Sequence, residues 1–239
     1  MALRVGTSGW AYTAWKPGFY PASVPSRKFL EFYSSRLNAV EANYTFRHYL
    51  TEQTIAGWLD QTPANFQFAV KAHQSLTHLR RLKNVDESLP LFLDSLLPLK
   101  KARRLGPVLF QLPPNFKADV GRLDDFLRLL PRGLRVAIEF RHRSWFTDET
   151  YDVLRRRKAA LCIAESDELQ TPEVFTADFA YFRLRRSKYS PAARRTIAIE
   201  MQEHARELKD VYAFFKHEEN PSSPKWAVEL LRRSSDMAG

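Results

Sequence analysis

Eight short runs of apolar and β-branched residues recur along this chain, and each run ends at polar residues. Their starts lie 20 to 41 residues apart, which suits the roughly 30 residues of a strand, a crossover helix and two loops. Antiparallel hairpins need far less chain between strands. The pattern therefore predicts eight strand-then-helix units. The runs are Leu3–Ser8, Ala39–Asn43, Phe66–Lys71, Pro107–Leu112, Leu134–Phe140, Ala159–Glu165, Phe179–Leu184 and Val211–Lys216.

Helical patterns fill most of the intervals between these runs. Ser26, Asp119 and Thr147 each stand where a helix N-cap is expected. The basic run at 155–158 complements the negative end of the helix that it closes. Gly106 stands just past another basic turn, in the position of a helix C-cap.

Eight such units favour a single α/β domain over residues 1–239, a (βα)8 TIM-type barrel with a closed parallel sheet and outer helices. A chain of 239 residues, 44% of them hydrophobic, can bury a core of this size. The interval 167–178 is short for a helix and is the weakest unit. A doubly wound open sheet is the main alternative, although it would place some strand ends at an edge, and here every run ends in polar residues.

The charge and the apolar segments restrict the partners. A net charge of +10 favours an anionic partner, either a small molecule or a nucleic acid. The apolar runs are strand-sized, and no basic-then-apolar leader is present, so we expect a cytoplasmic protein without a membrane partner. Cys162 is the single cysteine, and its apolar surroundings predict a buried, inert thiol.

Polar side chains collect at the carboxyl ends of the predicted strands, which is where TIM-type barrels carry their chemistry. The predicted barrel should therefore gather these groups in one cation-rich mouth. They are Thr7, Ser8, Trp10 and Tyr12 after the first strand; Glu41, Asn43 and Thr45 at the second; Lys71 and His73 at the third; Gln111 at the fourth; Glu139, Arg141, His142 and Trp145 at the fifth; Arg183 at the seventh; and Lys216 and His217 at the eighth.

Two carboxylates, Glu41 and Glu139, directly follow apolar residues. Strand alternation points Asn43 to the same side as Glu41, and Arg141 to the same side as Glu139. Carboxylates that face the lumen lose water and need partners, for which Lys71 and Arg141 are the available cations. Two interpretations remain open: at least one acid is catalytic, or the acids belong to an ion-pair network that plugs the top of the barrel.

Metal and cofactor motifs are weak or missing in the sequence. Four histidines, His73, His78, His142 and His217, could meet at the mouth with the two acids, but none forms an HxH or HExxH pattern. A divalent metal is therefore not favoured. The sequence has no GxGxxG, P-loop or GxSxG motif, so no cofactor is predicted.

Several motifs together resemble the YecE-like family, DUF72, a TIM-barrel domain of unknown function. The likeness runs in order from about Val5 to about Leu231. It implies a TIM-type barrel, in agreement with the strand count, and a likeness to barrel nucleases of the endonuclease IV type that rests on fold analogy alone. The motifs are Gly6-Thr7-Ser8-Gly9-Trp10-Ala11-Tyr12, Val40-Glu41-Ala42-Asn43-Tyr44-Thr45-Phe46, Phe68-Ala69-Val70-Lys71 with Thr77-His78, Leu109-Phe110-Gln111-Leu112-Pro113-Pro114, and Glu139-Phe140-Arg141-His142 with Ser144-Trp145.

This chain departs from the family pattern at two strand ends. After the seventh strand the family shows Arg-Leu-His-Gly, whereas here Arg183-Leu184 is followed by Arg185-Arg186. After the eighth it shows Phe-Asn-Asn, whereas here Phe215 is followed by Lys216-His217. Both changes add positive charge and remove amide groups at the mouth, so a substrate of the relatives cannot be assumed for this chain.

The leading hypothesis is a hydrolase or lyase that acts on an anionic, phosphate-containing substrate. Glu139 or Glu41 would be the general acid or base, and His78 or His142 would shuttle a proton. The predicted substrate-binding residues are Thr7, Ser8, Trp10, Tyr12, Asn43, Thr45, Lys71, Gln111, Arg141, Trp145 and Arg183. Two alternatives remain: a nucleic-acid-binding protein without chemistry that uses the basic rim, and a sugar-processing barrel whose carboxylates lie about 5 to 9.5 Å apart.

Overall fold

Eight parallel strands follow one another around one sheet in the order β1-β8-β7-β6-β5-β4-β3-β2. The structure is a computed structural model that describes residues 2–167, 169–216 and 219–236. The predicted strand ends all lie within two residues of the observed ones. The strands are β1 Ala2–Thr7, β2 Ala39–Ala42, β3 Gln67–Lys71, β4 Leu105–Gln111, β5 Val136–Glu139, β6 Ala160–Glu165, β7 Phe179–Leu184 and β8 Asp210–Phe215.

Helices occupy the intervals between most of the strands. They are α1 Phe29–Ser34, α2 Glu52–Asp60, α3 Ser88–Ser95, α4 Leu97–Lys101, α5 Val120–Arg128, α6 Asp148–Arg157, α7 Pro191–Glu207 and α8 Ser222–Asp236. Between β6 and β7 the described residues form no helix, which agrees with the weakness predicted for this interval. None of the helices described is long and apolar enough to cross a bilayer.

The two ends of the sheet, β1 and β2, meet through a seam rather than a full ladder. Near the top, Ser8 pairs with Glu41 as an isolated parallel bridge. Lower down, the Tyr33 hydroxyl is inserted between the strands, where it accepts a hydrogen bond from Thr7 N at 2.8 Å and donates one to Ala39 O at 3.1 Å. The side chain thus supplies the contacts that a backbone ladder would otherwise make, and the barrel closes. The open-sheet alternative is therefore wrong.

A second side chain and a glycine complete this seam. The Asn38 amide accepts from Val5 N at 2.8 Å and donates to Leu3 O at 2.9 Å. Gly6 lies where a Cβ would stand 2.0 Å from Ala39 O. No real side chain tolerates that distance, so the close approach of the two strands requires glycine at this position.

The barrel interior is divided into a small-residue half and an aromatic half. Strand alternation points one set of residues to the lumen and the other set to the helices. The lumen residues form their own buried cluster of Ala39, Ala69, Leu109, Ala137, Ala160, Cys162, Ala164, Phe179, Tyr181, Tyr212 and Phe214. The alanines of β2, β3, β5 and β6 leave room for the rings of β7 and β8. The predicted burial of Cys162 is confirmed, and burial raises the pKa of its thiol.

The helix-boundary predictions were right in two places and wrong in two. The side chains of Asp119 and Thr147 cap α5 and α6 by accepting backbone N–H groups of the first turn, as expected. Ser26 begins a short 3-10 turn instead of capping it. Gly106 lies inside β4, where a Cβ would be 3.2 Å from Phe68 O, and Arg103 takes the left-handed backbone conformation after α4 with φ of 58°.

Candidate functional site

A buried arginine joins two carboxylates across the top of the lumen. Arg183 of β7 is fully buried, and so are Glu41 of β2 and Glu139 of β5. Its Nη2 lies 2.8 Å from Glu41 Oε1, and its Nη1 lies 2.5 Å from Glu139 Oε2. The three residues face inward because each shares the parity of the lumen cluster on its own strand. They form an ion-pair bridge between strands that are distant in the chain.

Glu41 has no oxygen left without a partner. Its Oε1 also accepts from Ser8 Oγ at 2.7 Å, and its Oε2 accepts from the Tyr181 hydroxyl at 2.8 Å. Burial, and then the charge of Glu41, raises the pKa of Tyr181. The phenol therefore stays protonated and donates. This carboxylate ties the β1–β2 seam to the aromatic half of the lumen.

Glu139 is held ionised by arginines. Beyond Arg183, its Oε1 contacts Arg141 Nε and lies 3.5 Å from Arg185 Nη1. Burial alone would raise the pKa of Glu139, but the charges of Arg183 and then Arg141 outweigh it, so the pKa lies below its usual value. A carboxylate in this state is a structural anion and a poor general acid. Gln111 completes the group by accepting from Arg183 Nη1 at 3.3 Å.

Positive charge exceeds negative charge at this level of the barrel. Five cations surround the two carboxylates, and they are Lys71, Arg141, Arg183, Arg185 and Lys216. The Arg141 and Arg185 side chains are about one fifth exposed, at 21% and 19%. The mouth therefore carries an excess of positive charge, part of it open to solvent, and such a surface attracts anions.

Lys71 is a cation of the mouth whose pKa is lowered. Its Nζ lies 4.2 Å above the ring of Phe46, and no carboxylate pairs directly with it among the described residues. Burial, and then the charge of Arg183, lowers the pKa of Lys71 to about 8. About one tenth of such an amine is neutral at pH 7. Lys71 can therefore bind an anion as an ammonium or accept a proton as an amine.

His78 lies beside Lys71 on an unusual backbone segment. It belongs to a single π-helical turn, Ser75–Leu79, a conformation found frequently at functional sites. Its Nδ1 lies 2.9 Å from Thr77 Oγ1, and its ring meets Phe46 edge to face at 4.9 Å. Burial, and then the charges of Lys71 and Arg141, lowers the pKa of His78. At neutral pH the imidazole is uncharged and can accept a proton.

Other predicted site residues hold loops in place instead of meeting in the lumen. Thr7 points away from the barrel axis because it precedes the inward Ser8 by one position, and its Oγ1 donates to the Tyr33 hydroxyl at 2.9 Å. Thr45 is buried in the turn after β2, where its Oγ1 donates to Lys71 O at 2.6 Å.

Two predicted site residues after β5 also hold a loop in place instead of entering the lumen. Trp145 Nε1 donates to Phe116 O at 2.8 Å, and its ring stacks on Phe140 at 4.6 Å. His142 accepts from Ser144 N at 3.2 Å and so caps a short 3-10 turn. Both contacts stabilise the loop at the rim, outside the ion-pair bridge.

Three further predicted residues line a separate cleft beside the mouth. The cleft has a volume of about 390 Å³ and lies between the loop after β1 and the turn after β2. Asn43 was expected to follow Glu41 into the lumen, but β2 ends at Ala42 and the backbone of Asn43 is helical, which turns its side chain away. The cleft is lined by Gly9, Trp10, Ala11, Tyr12, Asn43, Tyr44, Thr54 and Trp58.

The acids of the mouth do not form a metal site with the histidines. No group of three or more His, Cys, Asp or Glu residues within the described ranges could hold a metal ion. Glu41 and Glu139 are instead bound to Arg183. His217, one of the four histidines considered from the sequence, lies outside the described residues.

Sequence reasoning missed Tyr181 as a site residue. Its hydroxyl binds Glu41 directly, and it stands two positions before Arg183 on β7. The same alternation that places Arg183 in the lumen also places Tyr181 there. Phe46, which lies under the Lys71 amine, has no comparable signal because it follows the end of its strand.

Comparison with known proteins decides the family. Residues 4–238 match the sequence profile described as "Protein of unknown function DUF72". The chain belongs to the DUF72 family. This confirms the resemblance of its motifs to the YecE-like proteins. In this DUF72 protein those motifs lie at the mouth, in the cleft beside it and in the loops that hold both.

Two bacterial relatives are similar to this chain over part of their length. The UPF0759 protein YunF of Bacillus subtilis is 33% identical over 157 residues, which cover 63% of this chain and 54% of YunF. The UPF0759 protein YecE of Escherichia coli K12 is 29% identical over 145 residues, which cover 60% of this chain and 50% of YecE. The matched region thus spans about half the length of each relative.

Solved structures share the architecture. A DUF72 family protein of Thermotoga maritima superposes with a TM-score of 0.83 at 28% identity, covering 100% of this chain and 99% of its own. A DUF72 family protein of Enterococcus faecalis has a TM-score of 0.78 at 19% identity, with 98% and 94% covered. SacUVDE has a TM-score of 0.51 at 11% identity, with 98% of both chains covered. The last two show a common fold and nothing more.

Proposed function

We propose that this DUF72 protein is a hydrolase or lyase that acts on a small phosphate-containing anion at the mouth of the barrel, with Lys71 as the group that carries the proton. One observation carries the proposal: five cations surround two carboxylates, and among them the amine of Lys71 has a pKa lowered to about 8. A base whose pKa lies near the working pH is the most effective proton carrier.

The two carboxylates support this site rather than react in it. Glu41 and Glu139 are buried and bound to Arg183, which favours the ion-pair plug among the two interpretations of the sequence. The bridge fixes the top of the lumen and keeps Arg183 from the substrate. The proton-transfer role proposed from the sequence for these acids therefore passes to Lys71, with neutral His78 beside it.

The substrate anion would be held by cations that remain open to the mouth. Arg141 and Arg185 touch Glu139, and about one fifth of each side chain remains exposed. Their forked N–H groups match the oxygens of a phosphate. Because these cations are recessed, a small anion reaches them more easily than the backbone of a nucleic acid duplex. A small phosphate ester is therefore the partner proposed.

The chemistry follows from the two states of Lys71. In a lyase reaction the neutral amine takes the proton from the carbon next to the bond that breaks, the electron pair left behind forms the new double bond, and the anionic leaving group departs toward Arg141 and Arg185. In a hydrolase reaction the neutral amine instead takes a proton from the water that attacks the phosphorus atom, the bond from phosphorus to the ester oxygen breaks, and that oxygen leaves with the proton returned by the Lys71 ammonium. A sugar-processing role has less support, because both carboxylates that it needs are bound to one guanidinium.

Inorganic sulfate is the probe that tests the anion site, because its charge does not change with pH in the range used. Calorimetric titration is expected to show binding at about pH 6.5 and at least about 10-fold weaker binding at about pH 9.5, where the Lys71 ammonium with its pKa of about 8 has lost its proton. A hydrogen bond from a charged donor is worth about 1.5 to 3 kcal/mol, so Lys71→Met should bind weakly at both pH values.

Two variants serve as controls for this titration. Lys71→Arg keeps the charge at both pH values and should therefore remove the pH dependence. Lys101→Met changes an exposed lysine at the end of α4, on the opposite face of the barrel, and should bind as the original protein does. Sulfate binding that is absent, or that survives in Lys71→Met, would contradict the proposal.

A further inference from the structure

The cleft beside the mouth is lined largely by aromatic side chains. Trp10 meets Trp58 edge to face, with the ring centroids 5.2 Å apart and the planes at 85°. Tyr12 and Tyr44 line the same cleft, and the Tyr44 side chain is 50% exposed. The faces of these rings are flat, apolar surfaces of the kind on which a planar ligand stacks.

Asn43, which lines the cleft, carries a buried oxygen without a partner among the described residues. The Oδ1 atom of Asn43 is buried and receives no hydrogen bond from any described residue. The neighbouring hydroxyl of Tyr12 does not supply one, because it donates to Ser8 O at 2.8 Å. A buried acceptor without a donor is costly and needs an explanation. A ligand that brings an N–H group into the cleft provides one.

The cleft and the anion site share a wall. The turn that follows β2 places Asn43 and Tyr44 in the cleft and Phe46 under the Lys71 amine. Three residues of chain span at most about 11 Å. No more than that length of backbone therefore separates the lining of the cleft from the ring under the Lys71 amine.

We propose that the cleft binds the planar nitrogen heterocycle of a substrate whose phosphate lies at Lys71, so that the substrate class is a mononucleotide. This inference rests on the proposed function and extends it. A heterocycle stacks on the rings and offers N–H groups to Asn43. A sugar fits less well, because the described lining side chains offer few polar groups, namely the Asn43 amide, the Thr54 and tyrosine hydroxyls and the indole N–H groups of Trp10 and Trp58, and several sugar hydroxyls would be left unpaired.

The test compares four probes by calorimetry at neutral pH: inorganic phosphate, adenosine, adenosine monophosphate and uridine monophosphate. At least one monophosphate should bind 10-fold or more tightly than phosphate alone, since stacking of a base on an aromatic side chain contributes about 5-fold to 150-fold in affinity. Tyr44→Ala should lose about 10-fold toward that monophosphate and nothing toward inorganic phosphate. Asn43→Leu, which keeps the shape and removes the amide, should do the same.

The matched control is Tyr49→Ala. Tyr49 is 37% exposed on the same loop but packs against the His73 ring and does not line the cleft. The Tyr49→Ala variant should bind every probe as the original protein does. If neither monophosphate binds more tightly than phosphate, or if Tyr44→Ala and Asn43→Leu leave monophosphate binding unchanged, the inference is overturned and the anion site stands. If a nucleoside binds but phosphate and sulfate do not, the proposed function fails instead.

Discussion

Replacing Arg183 by methionine is expected to lower the free energy of unfolding by about 3 to 5 kcal/mol. The guanidinium is the partner of two fully buried carboxylates, at 2.8 Å from Glu41 and 2.5 Å from Glu139. Methionine leaves the volume nearly filled but leaves both charges without their shared counterion. A buried charge without a counterion destabilises the folded state by more than the intact ion pair stabilises it. The free energy of unfolding should therefore fall. Urea denaturation monitored by circular dichroism measures it.

The control for this prediction is an exposed ion pair between an arginine and an aspartate. Arg155 lies 2.9 Å from Asp152, and both side chains are at least half exposed. Arg155→Met should cost less than about 1 kcal/mol, because exposed pairs contribute little. Adding Glu41→Gln and Glu139→Gln to Arg183→Met should recover part of the stability, since the buried charges disappear. A loss in Arg183→Met no larger than that of Arg155→Met would contradict the ion-pair bridge.

Replacing Lys71 by methionine is expected to reduce turnover of a phosphate-ester substrate by about 10²-fold to 10⁴-fold, the usual contribution of a positioned acid or base. The reason is that Lys71 both binds the anion and carries the proton. The assay follows release of inorganic phosphate, or the absorbance of a new double bond, over a panel of phosphate esters. Lys101→Met, which changes an exposed lysine on the opposite face, should turn over as the original protein does.

The pH profile separates this role from simple anion binding. The neutral amine is the base, so kcat/KM should rise with pH up to the Lys71 pKa of about 8 and then level off. Lys71→Arg should keep substrate binding and lose turnover, because a guanidinium does not give up its proton in this range. Turnover that survives in Lys71→Arg with the original pH profile would assign the proton to another group.

The fold could be predicted because a (βα)8 barrel repeats one strand-then-helix unit along the chain. The spacing of apolar runs predicted the number of strands, and the polar residues at the strand ends predicted that Glu41, Glu139 and Arg183 lie together at the mouth, where the structure joins them. The interval between β6 and β7 was weak in the sequence and carries no helix among its described residues. Gly106 was misread as a helix end, because a close approach of β4 to β3 and a helix C-cap both select glycine.

The positions of site residues could be predicted only where those residues lie on a strand. Arg141 contacts Glu139 as expected, but Lys71 pairs with neither acid among the described residues, and Arg183 joins both of them. Which residues meet across a barrel depends on the stagger of the strands, and that is not a local property of the sequence. Asn43 left the lumen because the backbone turns directly after β2. Beyond a strand end, alternation no longer predicts direction.

We propose that Lys71 is a half-buried amine, surrounded by other cations, at an anion site, and nuclear magnetic resonance of lysine labelled with ¹³C at Cε tests this directly. One lysine signal should titrate with a pKa of about 8, and it should be missing in Lys71→Arg. Added sulfate should raise the pKa of that signal, because a bound anion favours the ammonium. If every lysine titrates near the ordinary value of about 10.4, or if sulfate leaves the Lys71 signal unmoved, the account of the barrel mouth is wrong.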